Sequence, residues 1–324
     1  MKVKFMLFAD LHVDMMHDGA ARAQGIFQAA KAQGAKMAVQ LGDLMYPAQA
    51  YLTERGRQVL RDVRPWALDR DDERACVWQA VLDFGAPLYS VLGNHDLHVC
   101  DKQTAVKWLS MPAPYYDFVQ GGVRFLALDT NFVCKNGVWE DMQYGSSAGV
   151  DNRLLRYVPE EQLTWLRQRV MASDEPCVLL SHASLCDPLA GIQNRDEVIA
   201  LIRACNRDKR RVLASFSGHS HVDGMTVIDN VPYINVNSAS YHWLGADYKS
   251  LRYSEKLCRH YPRLMSTAPY LEVLYALVEM DDGGMRMTGR SSTFVGKTPK
   301  ELGLPESEND HQPTAVIRDR SIAW

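Results

Sequence analysis

The 324-residue sequence has no Cys-x-x-Cys pair and no Asn-x-Ser/Thr site. Its seven cysteines, at 76, 100, 134, 177, 186, 205 and 258, are odd in number and scattered. That pattern speaks against a disulfide framework and reads as reduced thiols in a cytoplasmic protein. Basic excess is missing as well: a net charge of −3 and a pI near 6.4 give no field for nucleic acid or an anionic membrane. No apolar run approaches the length of a membrane span. The apolar stretch at 1–9 is too short for a signal peptide, and Asp10 and His12 follow it directly. No internal repeat is evident.

Apolar residues are plentiful. At 47% hydrophobic and 23% charged, the chain can bury one large core or two modest ones. Apolar runs at 3–9, 37–41, 87–92, 116–119, 123–128, 177–180 and 212–216 read as strands, as do 225–228, 233–236, 271–280 and 285–289. Gly121-Gly122 marks a hairpin turn. Helical spacing covers 19–33, 53–63, 73–84, 102–109 and 196–206, and Pro159-Glu160-Glu161 opens a further helix that runs to 171. Residues 44–74 are otherwise charged and irregular. The polar, Gly-containing stretch 132–157 is long for a connection within a domain and is a candidate substrate-side lid. Alternating strands and helices with a β-rich last third predict one α/β sandwich domain over 1–296. The polar, Pro-containing remainder, 297–324, reads as a C-terminal surface arm.

Five apolar runs end in residues of metal-ligand type: Asp10-Leu11-His12, Gly42-Asp43, Gly93-Asn94-His95-Asp96, His182 and Gly218-His219-Ser220-His221. In extended chain, residues two apart face the same way, so Asp10 and His12 can share one point. C-terminal strand ends of an open α/β sheet converge on one crevice, which brings remote blocks together. Two carboxylates, one amide and four imidazoles exceed one zinc site and suit two borderline divalent ions. Buried without metal, the same groups would be costly.

In this order the five blocks resemble the calcineurin-like metallophosphoesterase superfamily, over 10–221, roughly two thirds of the chain. The resemblance implies two stacked mixed β-sheets flanked by helices. It implies that Asp10, His12 and His221 hold one metal, that Asn94, His182 and His219 hold a second, and that Asp43 bridges them. The ions would be Mn, Fe or Zn, as divalent or mixed-valence pairs, and a hydroxide shared between them would attack phosphorus. His95 would face the substrate, stabilising the transition state or protonating the leaving oxygen, with Asp96 holding its other ring nitrogen.

The expected activity is hydrolysis of a small-molecule phosphate ester, as a phosphatase or phosphodiesterase, with a phosphodiester or nucleotide favoured. A nuclease, or a non-catalytic scaffold on the same fold, are the alternatives. The missing basic charge weighs against the first, and the complete ligand set with His95 weighs against the second. Tyr46 stands where purple acid phosphatases place an iron ligand, but those enzymes usually lack the His of the first block, so Tyr46 reads as a neighbour of the ligands or as packing rather than as a ligand. Tyr241-His242-Trp243 is a candidate aromatic wall for a flat group such as a nucleobase, with plain packing as the other reading. His17, His98 and His260 have no partner block and read as surface or packing residues. Val295-Gly296-Lys297-Thr298 imitates a P-loop ending, but Ser291 replaces the required Gly.

Overall fold

The strand Lys-Val-Lys-Phe-Met-Leu-Phe at the start of the chain is buried throughout from Phe5 on, as a strand covered on both faces must be. The computed structural model describes residues 1–63, 66, 68–304 and 313–324. The first elements are β1 (Lys2–Phe8), α1 (Gly19–Ala32), β2 (Met37–Gln40), α2 (Glu54–Val63), α3 (Asp71–Phe84), β3 (Leu88–Ser90) and α4 (Lys102–Trp108). Next come β4 (Tyr116–Gln120), β5 (Val123–Leu128), β6 (Phe132–Lys135), β7 (Val138–Asp141), α5 (Glu160–Ala172), β8 (Cys177–Ser181) and α6 (Arg195–Asn206). The remainder holds β9 (Val212–Ser217), β10 (Gly224–Ile228), β11 (Val231–Asn235), β12 (Tyr241–Trp243) and α7 (Glu255–His260). It closes with β13 (Thr267–Pro269), β14 (Ala276–Asp281), β15 (Gly284–Gly289) and β16 (Arg320–Ala323).

Two six-stranded sheets result, in the orders β16-β15-β14-β1-β2-β3 and β10-β11-β9-β8-β5-β4. Both are mixed: β1 runs parallel to β2 and antiparallel to β14, while β8 runs parallel to both β5 and β9 and the outer pairs are antiparallel. Phe5 of the first sheet meets Phe125 and Phe216 of the second edge-on, at 5.5 and 6.2 Å between ring centroids, so the sheets stack face to face. Emptying such a site, as in Phe5→Ala, costs about 3–5 kcal/mol. On the outer face of the first sheet Phe8 meets Phe27 of α1, which meets Phe84 of α3. Leu163, Leu166 and Val170 of α5 with Val198 and Ile202 of α6 cover the second. The architecture is the expected pair of stacked mixed sheets flanked by helices. No helix among the described residues is long and apolar enough to cross a membrane.

Three expectations change. The stretch 132–157 is not featureless: β6 and β7 form a hairpin across Asn136-Gly137, whose φ values of 52° and 80° are those of a type I′ turn. The strand expected over 271–280 begins only at Ala276. Before it, Tyr270 and Leu274 donate their N–H groups to Ser240 and Ala239 rather than to a sheet neighbour. The arm expected over 297–324 returns to the body. β16 pairs with β15 as a sheet edge, Ala315 and Ile317 are buried, and Arg318 and Arg320 bind the buried Asp223. Residues 305–312 of that arm, and 64, 65 and 67 of the 44–74 stretch, lie outside the described residues.

Candidate metal centre

The parallel neighbours β1 and β2 end side by side, with Phe8 opposite Gln40, and β8 and β9 do the same in the second sheet. An isolated parallel bridge between Ala9 and Ser238 joins the two sheets where they end. The loops leaving these strands carry the candidate ligands. Asp10 donates its N–H to Gly42, His12 to Asp43 and Gly218 to His182, so the loops are tied to one another. Asp10, His12, Asp43, His219 and His221 all lie at φ between 48° and 71°. This left-handed region is one that Asp, Asn and His enter more readily than other side chains, at a cost of order 1–3 kcal/mol each.

Two groups of side chains meet there, Asp10 with His12 and His221, and Asp43 with His182 and His219, each with its ligand atoms within 4.8 Å of one another. His221 Nε2 lies 3.3 Å from Asp10 Oδ1 and 3.3 Å from His12 Nε2. His182 Nε2 lies 3.1 Å from Asn94 Oδ1, 3.2 Å from His219 Nδ1 and 3.3 Å from Asp43 Oδ2. Asp43 Oδ2 is also 3.7 Å from His12 Nε2, between the two groups.

The donor chemistry fits metal ions. His182 Nδ1 bonds the Leu41 carbonyl at 2.8 Å and His221 Nδ1 the Tyr241 carbonyl at 2.7 Å. A carbonyl only accepts, so these Nδ1 atoms carry hydrogens and the Nε2 atoms, turned toward carboxylate and amide oxygens, are the positions that take a metal ion or, without one, a proton. Acceptors facing acceptors in a buried site call for cations. Asp10 Oδ1, buried and without a hydrogen-bond partner, is a case in point. Nitrogen and oxygen ligands of this kind suit divalent transition-metal ions.

Protonation follows the same logic. Burial would lower His182, but the charge and hydrogen bond of Asp43 outweigh it and push it up to about 9. Burial holds His12 down to about 4 and, with the through-space charges of His182 and Arg156, His219 down to about 3. Asp43, despite its burial, is held well below the usual carboxylate range by His182 and His95.

Glycines let the ligands in. A methyl at Gly93 would sit 2.8 Å from Asp43 Cγ, and closer still to Oδ1 and the backbone nitrogen. At Gly42, whose φ is 100°, a methyl would reach the His182 ring.

His95 lies beside the ligands, its N–H bonded to Asp43 Oδ1 at 2.7 Å. Its ring meets His12 edge-on at 4.9 Å and lies near-parallel to Trp243 at 5.9 Å. Asp96 departs from expectation. Its oxygens accept the N–H groups of Gly93, Asp43, Leu44 and Met45 at 2.8–3.2 Å. It therefore gathers two ligand loops instead of holding the imidazole, because their turning backbone leaves buried donors that need an acceptor.

Tyr241 is fully buried and stacks on His12 at 5.2 Å, whereas Trp243 is half-buried and faces His95. Tyr46 is buried, with its ring 6.2 Å from that of His98. His98 is half-buried and lies 4.3 Å from His95. The sequence reads it as a surface or packing residue; its spacing, three residues after His95, is the signal that could have found it, and its N–H bonds the His95 carbonyl. Arg156 and the buried Asp14–Arg74 pair, which holds both backbone polar groups of Tyr46, carried no such signal. His17 packs on Tyr253 and His260 on Tyr261.

Among solved structures, the chain is similar to a dimetal phosphatase from Danio rerio at 16% identity, covering 99% of this chain and 98% of that one, with a TM-score of 0.62. GAP50, the anchor in the inner membrane complex of Plasmodium, is 12% identical over 99% and 89% of the two chains, with a TM-score of 0.46. Yfce, a phosphoesterase from E. coli, is 13% identical over 98% and 99%, with a TM-score of 0.39. The first of these speaks for the fold, and the other two add nothing to it. No curated protein matches the chain. The family model of the calcineurin-like phosphoesterases matches residues 3–223, which take in both ligand groups. The chain belongs to that family and is a metal-dependent phosphoesterase.

Proposed function

We propose that the chain hydrolyses a small-molecule phosphate ester, a phosphodiester or nucleotide in particular, at a centre of two metal ions. The observation that carries this reading is the convergence of two Asp/His groups whose acceptor atoms face one another with Asp43 between them. Asp10, His12 and His221 would hold one ion and Asn94, His182 and His219 the other, with Asp43 placed to serve both. When bound, such a pair neutralises charge on the phosphoryl oxygens and acidifies a water for in-line attack.

The chain's own residues do the rest. The carbonyls of Leu41 and Tyr241 fix which nitrogen of His182 and His221 faces the site. Asp96 fixes the loops of Asp43 and Asn94. His95 is not needed as a ligand and is placed by its N–H bond to Asp43 and by Trp243. It donates a proton to the leaving oxygen. The face of Trp243 beside His95 favours a flat leaving group, hence a nucleotide.

A hydrolysis panel with Mn(II) tests this: p-nitrophenyl phosphate, bis-p-nitrophenyl phosphate, 2′,3′- and 3′,5′-cyclic nucleotides and a nucleotide sugar, with Asp43→Ala as the blank. Metal-dependent turnover above the blank, highest on a nucleotide, is expected. Turnover of none of them despite two bound ions would remove the reading.

A further inference from the structure

Five lysine or arginine side chains among the described residues are buried: Arg22, Arg70, Arg74, Lys102 and Arg156. Four have a carboxylate partner. Arg22 pairs with Asp18 at 2.8 Å, Arg70 with Glu73 at 2.8 Å, Arg74 with Asp14 at 2.5 Å and Lys102 with Asp129 at 2.5 Å. Arg156 makes no ion pair among the described residues. Its Nε donates to the Gly191 carbonyl at 3.0 Å and its Nη2 to Asn152 Oδ1 at 2.6 Å, both neutral oxygens. Asp187 acts on it only through space, and the Oδ1 of that residue is taken by the N–H groups of Leu189 and Ala190. A buried guanidinium without a paired anion carries a desolvation cost that two bonds to neutral oxygens and the through-space charge of Asp187 offset only in part.

Its position says which anion would offset it. The N–H of Arg156 bonds the Phe132 carbonyl at 2.9 Å, that of Tyr157 bonds Thr130, and Gln193 donates to the Arg156 carbonyl. Arg156 is itself held at φ 67°, a conformation a long side chain adopts only where its surroundings enforce it. The 130–131 stretch in turn touches both loops of the second ligand group: Thr130 accepts the N–H of Ala183, next to His182, and Asn131 donates to Leu92, two residues before Asn94. Its guanidinium lies against the same loop: Gly191, which accepts from its Nε, is followed by Ile192, whose N–H bonds the carbonyl of Ser184, two residues after His182.

We propose that Arg156 is a substrate-contacting residue whose Nη1, which makes no hydrogen bond among the described residues, receives a non-bridging oxygen of the phosphoryl group beside Asn94, His182 and His219. A guanidinium fork matches phosphate in shape as well as charge, and one already held by Asn152 and Gly191 loses little freedom on binding. The proposal rests on the phosphoesterase reading above and adds to it the group that orients the anion.

The test is calorimetric binding of inorganic phosphate to the Mn(II)-loaded protein and to Arg156→Ala and Arg156→Lys, with bound metal measured in each. Arg156→Ala is expected to keep both ions and to bind phosphate about tenfold or more weaker. Its KM for the best ester of the panel should rise, and guanidinium ion in solution should restore part of the loss. Arg156→Lys should fall between it and the wild type. Phosphate affinity unchanged in both variants overturns the proposal, as does loss of metal and of thermal stability in both, which would make Arg156 a purely structural residue. Should Arg156→Ala not fold, Arg156→Lys decides: weaker phosphate binding with both ions present supports the proposal, and unchanged binding overturns it. A wild-type protein that holds two ions and binds no phosphate removes the parent reading, and this one with it.

Discussion

Gly93→Ala is the most exacting substitution the site offers. The new methyl would lie 2.8 Å from Asp43 Cγ and nearer still to Oδ1 and N, whereas real Cβ atoms stay beyond 3.0 Å. Asp43 lies between both ligand groups, so its retreat disturbs each of them. A displacement of about 1 Å in a catalytic constellation costs about 100-fold in rate. Two hydrogen bonds go with it, His95 N–H to Asp43 Oδ1 at 2.7 Å and Asp43 N–H to Asp96 Oδ2 at 3.0 Å. Bonds to charged groups contribute about 1.5–3 kcal/mol each, so the metal-free protein should lose about 3–6 kcal/mol. Gly25→Ala is the control: it lies inside α1 with its nearest neighbour at 3.7 Å, and should stabilise by about 0.5–1 kcal/mol. Urea unfolding of the metal-free variants and kcat of the Mn(II)-loaded ones measure both effects. A Gly93→Ala protein with an unchanged unfolding midpoint and kcat within about threefold of wild type would refute the packing argument.

Three further outcomes are expected. His95→Asn should keep both ions by elemental analysis while kcat falls by about 100- to 10,000-fold; loss of metal along with activity would contradict its placement beside the ligands. The metal-free protein should lose about 2 kcal/mol between pH 7 and 9, because His182 is pushed up to about 9 when folded against 6.5 unfolded. A raised pKa stabilises below the unfolded value and is lost as pH rises through the folded one, so unfolding midpoints should fall across that window. Mn(II) should abolish the slope by replacing the proton, and a flat metal-free profile would count against it. Asp223→Ala should cost about 3–5 kcal/mol, since it strips Arg318 and Arg320 of their shared carboxylate; a melting temperature equal to wild type would show that 313–324 is a loose arm after all.

The strand and helix pattern was readable wherever one periodicity ruled locally. The apolar run ending at Phe8 and the helix opened at Glu160 are set by their own residues. The ligand blocks were readable because a strand end turning toward solvent is where polar residues interrupt an apolar run. What the sequence hid depends on contacts remote in the chain. Asp96 was assigned to its neighbour His95, but four backbone N–H groups, three of them about fifty residues away, claim it. The last strand is hidden because Arg-Ser-Ile-Ala buries no residue fully, half-covers only alternate ones and becomes a strand by pairing with β15. Asn136-Gly137 is a hairpin signal that the polar character of its surroundings obscured. Arg156 could not be found at all, since a buried cation is recognised only by who does not pair with it.

The most direct measurement of the central claim is a titration of the metal-free protein with Mn(II), following bound ions and turnover of the best panel substrate together. Two ions per chain, with activity rising as the second binds and absent in Asp43→Ala, is the predicted result. Full activity at one ion per chain, or in the metal-free protein, would contradict it.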